Sequence, residues 1–379
     1  MDNVTHTLFA LTLARTPLGR GRGATAALVL ASSAPDSDIV AAMSGGASYL
    51  AWHRGPTHGP LGIVGLGLLT AAIVWTGRRL LRGGQMDGPA TPFTRLVAIS
   101  VVGVFAHILM DLPTSYGTRF LSPFSWRWFA IDIMPIVDVY LLAVLAGGLL
   151  LGGRSDGSRR VSVAIVLTLM VANYGLRTFA HQEALKRADR LFSPTLPRPC
   201  DPATQSRGTL ISSWPGPVSP GTMSGFGASL ARSTVAETRD AGRSGARPCL
   251  LETAAIPRFL SPFRWRVIAR TSNAYDLYDI DVTDARLRSR TPPAGLLTAI
   301  STRISDERNA FTDEAARAPT VRALLDFARF PQAQVVADSS GGVTVQIRDM
   351  RFDTGSGENT PLQRRRTSLF TATVRIGAQ

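Results

Sequence analysis

The chain has 379 residues, 45% of them hydrophobic, with 41 Lys and Arg against 27 Asp and Glu and a formal charge of +14. That length accommodates two domains. The charge does not read as a nucleic-acid footprint: Lys186 is the single lysine, the arginines are scattered, and only Arg364, Arg365 and Arg366 form a run, so nucleic acid is set aside as a partner.

The first residues, MDNVTHTLFALTLARTPLGR, lack a basic leader and a small-residue cleavage site and are expected to be retained. Apolar segments follow at 4–14, 24–43, 60–77, 96–112, 131–152 and 161–180. A membrane span needs about 20 apolar residues. The last four segments approach that length unbroken. Segment 24–43 is interrupted by Pro35-Asp36-Ser37-Asp38, and with 4–14 it reads as a helical hairpin that enters partway or spans imperfectly. Arg15, Arg20 and Arg22, then Arg78, Arg79, Arg82 and Arg95, then Arg154, Arg159 and Arg160 occupy alternate connections. One topology puts all of them on one face, which the positive-inside rule makes cytoplasmic. The opposite face then receives the histidines and everything after 181.

Beyond 182 the chain is rich in Arg and Pro. Residues 193–248 hold breaker-rich stretches such as SPTLPRPCDP and read as linker or long loops. Strands are expected at 264–271, 275–283, 343–352 and 369–376, and a helix at 319–330, where Val321, Leu324, Leu325 and Ala328 share a face. Cys200 and Cys249 are either a disulfide, if this half is extracytoplasmic, or two unrelated thiols. FLSPFSWRW at 120–128 and FLSPFRWRV at 259–267 match at seven of nine positions. Trp and Arg beside Pro suit a membrane interface, so the two loops are expected to line one interfacial cleft. The expected fold is a mainly α membrane helix bundle of about five or six apolar helices with a C-terminal extramembrane α+β or mostly β domain. The expected divisions are 1–181 for the bundle and its site, 182–256 for the linker, and 257–379 for the β-rich domain.

Four of the five histidines lie within the first 107 residues. Ionisable groups at membrane depth are costly and usually functional. His107-Ile-Leu-Met-Asp111 places an imidazole and a carboxylate one helical turn apart, where both can hold one cation. Asp36 and Asp38 sit at a helix break, and paired carboxylates can bind metal or activate water. His53-Arg54-Gly55-Pro56-Thr57-His58 turns two imidazoles toward one side and adds an arginine whose fork suits phosphate. Thr5-His6 gains weight because Thr57-His58 repeats it. His181 stands apart beside Gln182 and Glu183 and is left out. The set His6, Asp36, Asp38, His53, His58, His107 and Asp111 suits a divalent metal, zinc first, with manganese or iron as alternatives.

These motifs, MDNVTHTLFALTLA, SSAPDSDI, HRGPTHGPL and HILMDLPTSYGTRFLSPFSWRW, with the later IPRFLSPFRWRVIART, resemble the YdjM/YbcI-type family of membrane-bound, metal-dependent hydrolases. The ordered motifs cover residues 1–140 and the helix pattern extends to 180. The resemblance implies that the seven His and Asp positions are the family's polar set. Its similarity to zinc-dependent phospholipase C and single-strand nucleases implies a phosphoester substrate, an analogy of class rather than of reaction.

The expectation is an integral inner-membrane hydrolase with its C-terminal domain extracytoplasmic and the lipid bilayer as its partner. It would act on a lipid or lipid-linked phosphoester. Asp38 would be the general base, and Arg54 with Arg127 would hold substrate charge. Two rivals stand beside it: a structural metal site in a protein whose outer domain binds a partner, and a transporter, against which no pair of corresponding halves is seen.

Overall fold

The computed structural model describes residues 1–80, 91–153, 155–192, 194–200, 211–214, 248–289, 293, 295–337, 342–353 and 369–377. Arg82, Arg154, Arg364–Arg366 and most of the breaker-rich stretch lie outside the described residues. The chain divides into two units, Met1–Val40 with Trp52–Phe179, and Ala41–Ala51 with Ala180–Gln379.

The helices of the first part are α1 (Asn3–Ala14), α2 (Ala24–Ser33), α3 (Gly46–Trp52), α4 (Pro60–Leu80), α5 (Phe93–Asp111), α6 (Val139–Leu151) and α7 (Asp156–Phe192). Three of them, α4, α5 and α7, are long and apolar enough to cross a membrane. Helix α2 and the 3₁₀ segment Pro35–Ser44, bent by 42° at Pro35, form a fourth span if taken together. Helix α6 is apolar but shorter. It starts at Val139, so residues 131–138 of the fifth apolar segment are not helical; Asp138 caps the helix by accepting from Leu141 N at 2.7 Å.

The packing follows from side-chain size. On α4, Leu61, Val64, Leu68 and Ile73 are exposed and point where lipid would lie, while Gly67, Thr70, Ala71 and Val74 face the bundle. A Cβ at Gly67 would meet Val101 Cγ2 at 2.6 Å, so glycine is what lets α4 and α5 approach. Helix α5 repeats the pattern: Val102, Phe105 and Leu109 are exposed, while Gly103, His107 and Asp111 are buried. Large apolar residues outside and small or polar ones inside are what a bundle in lipid requires.

The arginines converge on one end of this unit. Arg78 donates to Arg22 O and to Thr91 O, Arg95 to Pro17 O, and Arg15 to Gly148 O and Leu149 O, while Arg20 faces Asp156 at 3.7 Å. The first turn of α1, the start of α4 and the end of α5 lie at the other end.

In the second unit the last turns of α7 pack on an antiparallel sheet ordered β3 (Leu250–Pro257), β4 (Arg264–Thr271), β5 (Ala274–Asp281), β6 (Ser301–Ser305). Two short strands precede it in the chain, β1 (Trp128–Ala130) in the first unit and β2 (Ser212–Trp214) in the second. A second antiparallel sheet is ordered β7 (Pro331–Ala337), β8 (Val343–Asp349), β9 (Thr371–Ile376), and the helix Pro319–Phe327 precedes it. Cys200 and Cys249 form a disulfide with Cα atoms 4.8 Å apart. The segment 182–256, read as linker, holds the last turns of α7, strand β2 and strand β3. The two FLSPF loops belong to different units, and in each an aromatic ring is exposed, Phe124 in the first and Phe259 in the second.

Candidate metal centre

Asp111 ends α5, and His107 lies one turn before it on the same face. The His107 ring is held from behind: Nδ1 donates to Ser32 O at 2.7 Å, so the lone pair sits on Nε2 and points at the cluster. His58 is held in the same way. Its Nδ1 donates to Thr57 Oγ1 at 2.9 Å, and that hydroxyl passes its own proton to Asp38 Oδ2 at 3.0 Å. The Nε2 lone pairs of His58 and His107 therefore face each other across 3.3 Å. Two lone pairs at that distance repel unless a cation lies between them.

The carboxylates complete the arrangement. Among the described residues Asp111 Oδ2 has no hydrogen-bond partner, and it lies 3.5 Å from His58 Nε2 and 3.4 Å from His107 Nε2. Asp36 Oδ1 lies 3.8 and 3.5 Å from the same two nitrogens. All four donor atoms fall within 4.8 Å of one another. Ligands at about 2.05 Å from a tetrahedral ion are separated by about 3.4 Å. The residues fit a divalent cation on this test. Asp36 is the one member whose side chain is reached by solvent, at 14% exposure, while the other three are fully buried. Burial holds the His58 imidazole well below its usual pKa, with the His107 and Arg54 charges adding to the effect, so His58 stays in the neutral form that binds metal.

The remaining candidates surround these four. Asp38 is a hub: Oδ1 accepts from His53 Nδ1 at 2.7 Å, and Oδ2 accepts from Arg54 N–H at 2.8 Å and from Thr57. His6 stacks on His107 with ring centroids 3.7 Å apart, and its Nε2 lies 3.4 Å from Asp111 Oδ1. The same Oδ1 pairs with the Met1 amino group and accepts from Arg54 Nη2 at 3.0 Å. Arg54 is buried, sits at φ 53°, and also reaches Thr114 Oγ1 and Gly117 O. Its guanidinium is committed to Asp111 and its surrounding loop, with the Tyr116 ring 4.6 Å from it. Arg127 is exposed on that loop. His181 lies in the second unit against Trp265.

Sequence reasoning missed Ser32, Thr57, Thr114 and the Met1 amine. Thr57 carried a signal in its adjacency to His58. The other threonine of the repeated pair does something else, since Thr5 bonds Asp2 at the start of α1. Gly59 also belongs to the site: a Cβ there would lie 1.7 Å from Ser122 O, so glycine lets the loop after α5 close over the His53–His58 turn. We expect Asp38→Asn to weaken metal binding by about 10- to 100-fold, because an amide cannot accept at both positions and the His58–Thr57 relay loses its anchor. Titration of the purified variant with zinc checks this; unchanged affinity would make Asp38 a bystander.

Residues 1–184 match the model of the family described as YdjM inner membrane protein. Uncharacterized protein YfhP of Bacillus subtilis (strain 168) is 27% identical over 143 residues, 37% of this chain and 41% of that protein, so the match spans less than half of either. No solved structure matches the chain. Residues 1–184, which carry the spans up to the first part of α7 and every member of the His and Asp cluster, are thus similar to the YdjM inner membrane protein family.

Proposed function

We propose that the protein is an integral-membrane, metal-dependent hydrolase of a phosphoester, with a lipid or lipid-linked substrate. The supporting observation is the pair of Nε2 lone pairs facing across 3.3 Å and closed by two carboxylates. A divalent cation held by Asp36, His58, His107 and Asp111, zinc on this mixed donor set with manganese or iron as alternatives, would polarise the scissile bond and make water a nucleophile near neutral pH. Both oxygens of Asp38 are taken up by His53, Arg54 N–H and Thr57. We therefore assign proton transfer to His53 Nε2 and give Asp38 the positioning role. Arg54 holds Asp111 Oδ1, while Oδ2 is the oxygen that faces His58 and His107. Substrate charge then falls to Arg127 rather than to Arg54. The solvent-reached edge at Asp36 precedes exposed Ile39 and Val40, an apolar border that suits an acyl or prenyl chain.

The test is a screen of phosphomonoester and phosphodiester lipids with metal-loaded protein in nanodiscs. We expect turnover that a chelator abolishes. His53→Ala should lower kcat by about 10²- to 10⁴-fold while the metal stays bound. The four-donor count also favours a second reading, since four protein ligands close a structural zinc site. Tight metal binding without turnover of any phosphoester would establish that reading instead.

For orientation, we propose that the arginine end is cytoplasmic and that α7, leaving that end, carries the residues after 182 to the other side. The Cys200–Cys249 disulfide supports this, because such bonds persist in oxidising compartments. A cysteine at exposed Thr283 should react with a membrane-impermeant thiol reagent in intact cells, and one at Arg20 should not. The reverse pattern would invert the topology.

A further inference from the structure

Helix α7 is 37 residues long. At about 1.5 Å per residue it exceeds the roughly 30 Å hydrocarbon core, so its last turns stand outside it. Those turns present alanines at every fourth position, Ala180, Ala184 and Ala188, all buried. They face a sheet whose own inward residues include Ala255 and Ala269. Small side chains on both walls do not fill the layer between them. The result is a cavity of about 260 Å³ walled by Leu185, Ala188, Phe192, Val267, Ala269 and Tyr278. It is larger than the ~150 Å³ cavity that admits benzene.

The wall is mostly apolar and includes Phe192 stacked on Tyr278, ring centroids 3.6 Å apart. Lys186 and Asp189 line it too, and both are exposed, so they belong to its solvent-facing mouth. Lys186 is the chain's single lysine. The mouth is thus charged and the interior oily, on a helix whose preceding turns are apolar enough to run through lipid.

We propose that this cavity binds the hydrocarbon chain of a membrane-derived amphiphile, its polar head held at the mouth by Lys186. An acyl chain fits the geometry: it is apolar throughout, flexible enough to follow an irregular wall, and available from the bilayer in which α7 is anchored. This site is independent of the metal centre and stands whether or not that centre is catalytic.

The test uses the full chain in nanodiscs and a diazirine-bearing palmitate as probe. Photolysis should label peptides from Leu185–Phe192 and from Val267–Tyr278. Ala269→Leu, which puts an isobutyl group into the space, should cut that labelling by about 10-fold while thermal unfolding stays cooperative. Ala188→Leu fills the same space from the helix side and serves if Ala269→Leu does not fold. Labelling confined to α4 and α5 would overturn the proposal. So would a wild type unlabelled at these walls with a leucine variant of higher Tm, which would mark the cavity as a dry packing defect.

Discussion

Replacing His107 by alanine will cost the protein its divalent cation. The His107 ring is fixed by Ser32 O, so its Nε2 has no other direction to face. Its removal deletes one of four donors, a neutral imidazole, and leaves Asp36, His58 and Asp111 one ligand short of the set. Loss of a residue that only orients a ligand typically costs 10- to 100-fold in affinity, so loss of the ligand itself should cost about 100-fold or more. Asp111→Ala should match it and also free Arg54, whose Nη2 donates to Asp111 at 3.0 Å. The measurement is metal content of nanodisc-reconstituted protein, with zinc competing against manganese; zinc should win by the usual order of affinities. His181→Ala is the control, because His181 packs against Trp265 in the second unit. Full metal content in both His107→Ala and Asp111→Ala would end the metal reading.

The parts of this site that were legible in the sequence are those set by local periodicity. His107 and Asp111 share a face because α5 is helical through both. The break at Pro35 and the turn at Gly55-Pro56 announced themselves by residue type. Ligand and orienter could not be separated in the same way. Asp36 and Asp38 are two residues apart in one break, yet Asp36 joins the four donors and Asp38 binds His53 and two groups beside it. Only the direction of each carboxylate decides, and that is tertiary. Ser32 was invisible because its contribution is a backbone carbonyl.

The fold divides similarly. Strand β4 was read at its observed bounds, since RWRVIART alternates and is rich in β-branched and aromatic residues. Strands β3, β6 and β7 were not: in LLETAAIP and PQAQVVA, Ala, Glu, Gln and Pro, which carry little strand propensity, interrupt the Ile, Thr and Val, and pairing with neighbouring strands holds them. The last turns of α7 were missed because their buried face is alanine within a charged stretch. A hydrophobic pattern search does not register it, although Ala180, Ala184 and Ala188 keep the helical spacing.

Breaking the pair between Asp138 and Arg177 should destabilise the first unit more than any other single change away from the metal centre. Both side chains are almost fully buried, and Arg177 Nη2 meets Asp138 Oδ2 directly. The other oxygen of Asp138 caps α6 through Leu141 N at 2.7 Å and lies 3.5 Å from Asn173 Nδ2 on α7. One carboxylate thus starts one helix and ties it to the next. Removing a single partner of a buried pair leaves an uncompensated charge, which costs about 3–5 kcal/mol. Asp138→Ala should reach the upper end, since it also deletes the cap, worth about 1 kcal/mol. Arg177→Met should fall at the lower end, because the methionine fills the stem's volume and Asp138 keeps its cap. The double variant is the decisive member. With both charges gone no ion is stranded, so its loss should be well below the sum of the two single losses, a coupling of neighbours in contact. Equilibrium unfolding of the four proteins in one detergent gives the cycle. If Asp138→Ala is as stable as the wild type, or if the two losses simply add, the pair carries none of the tie between α6 and α7.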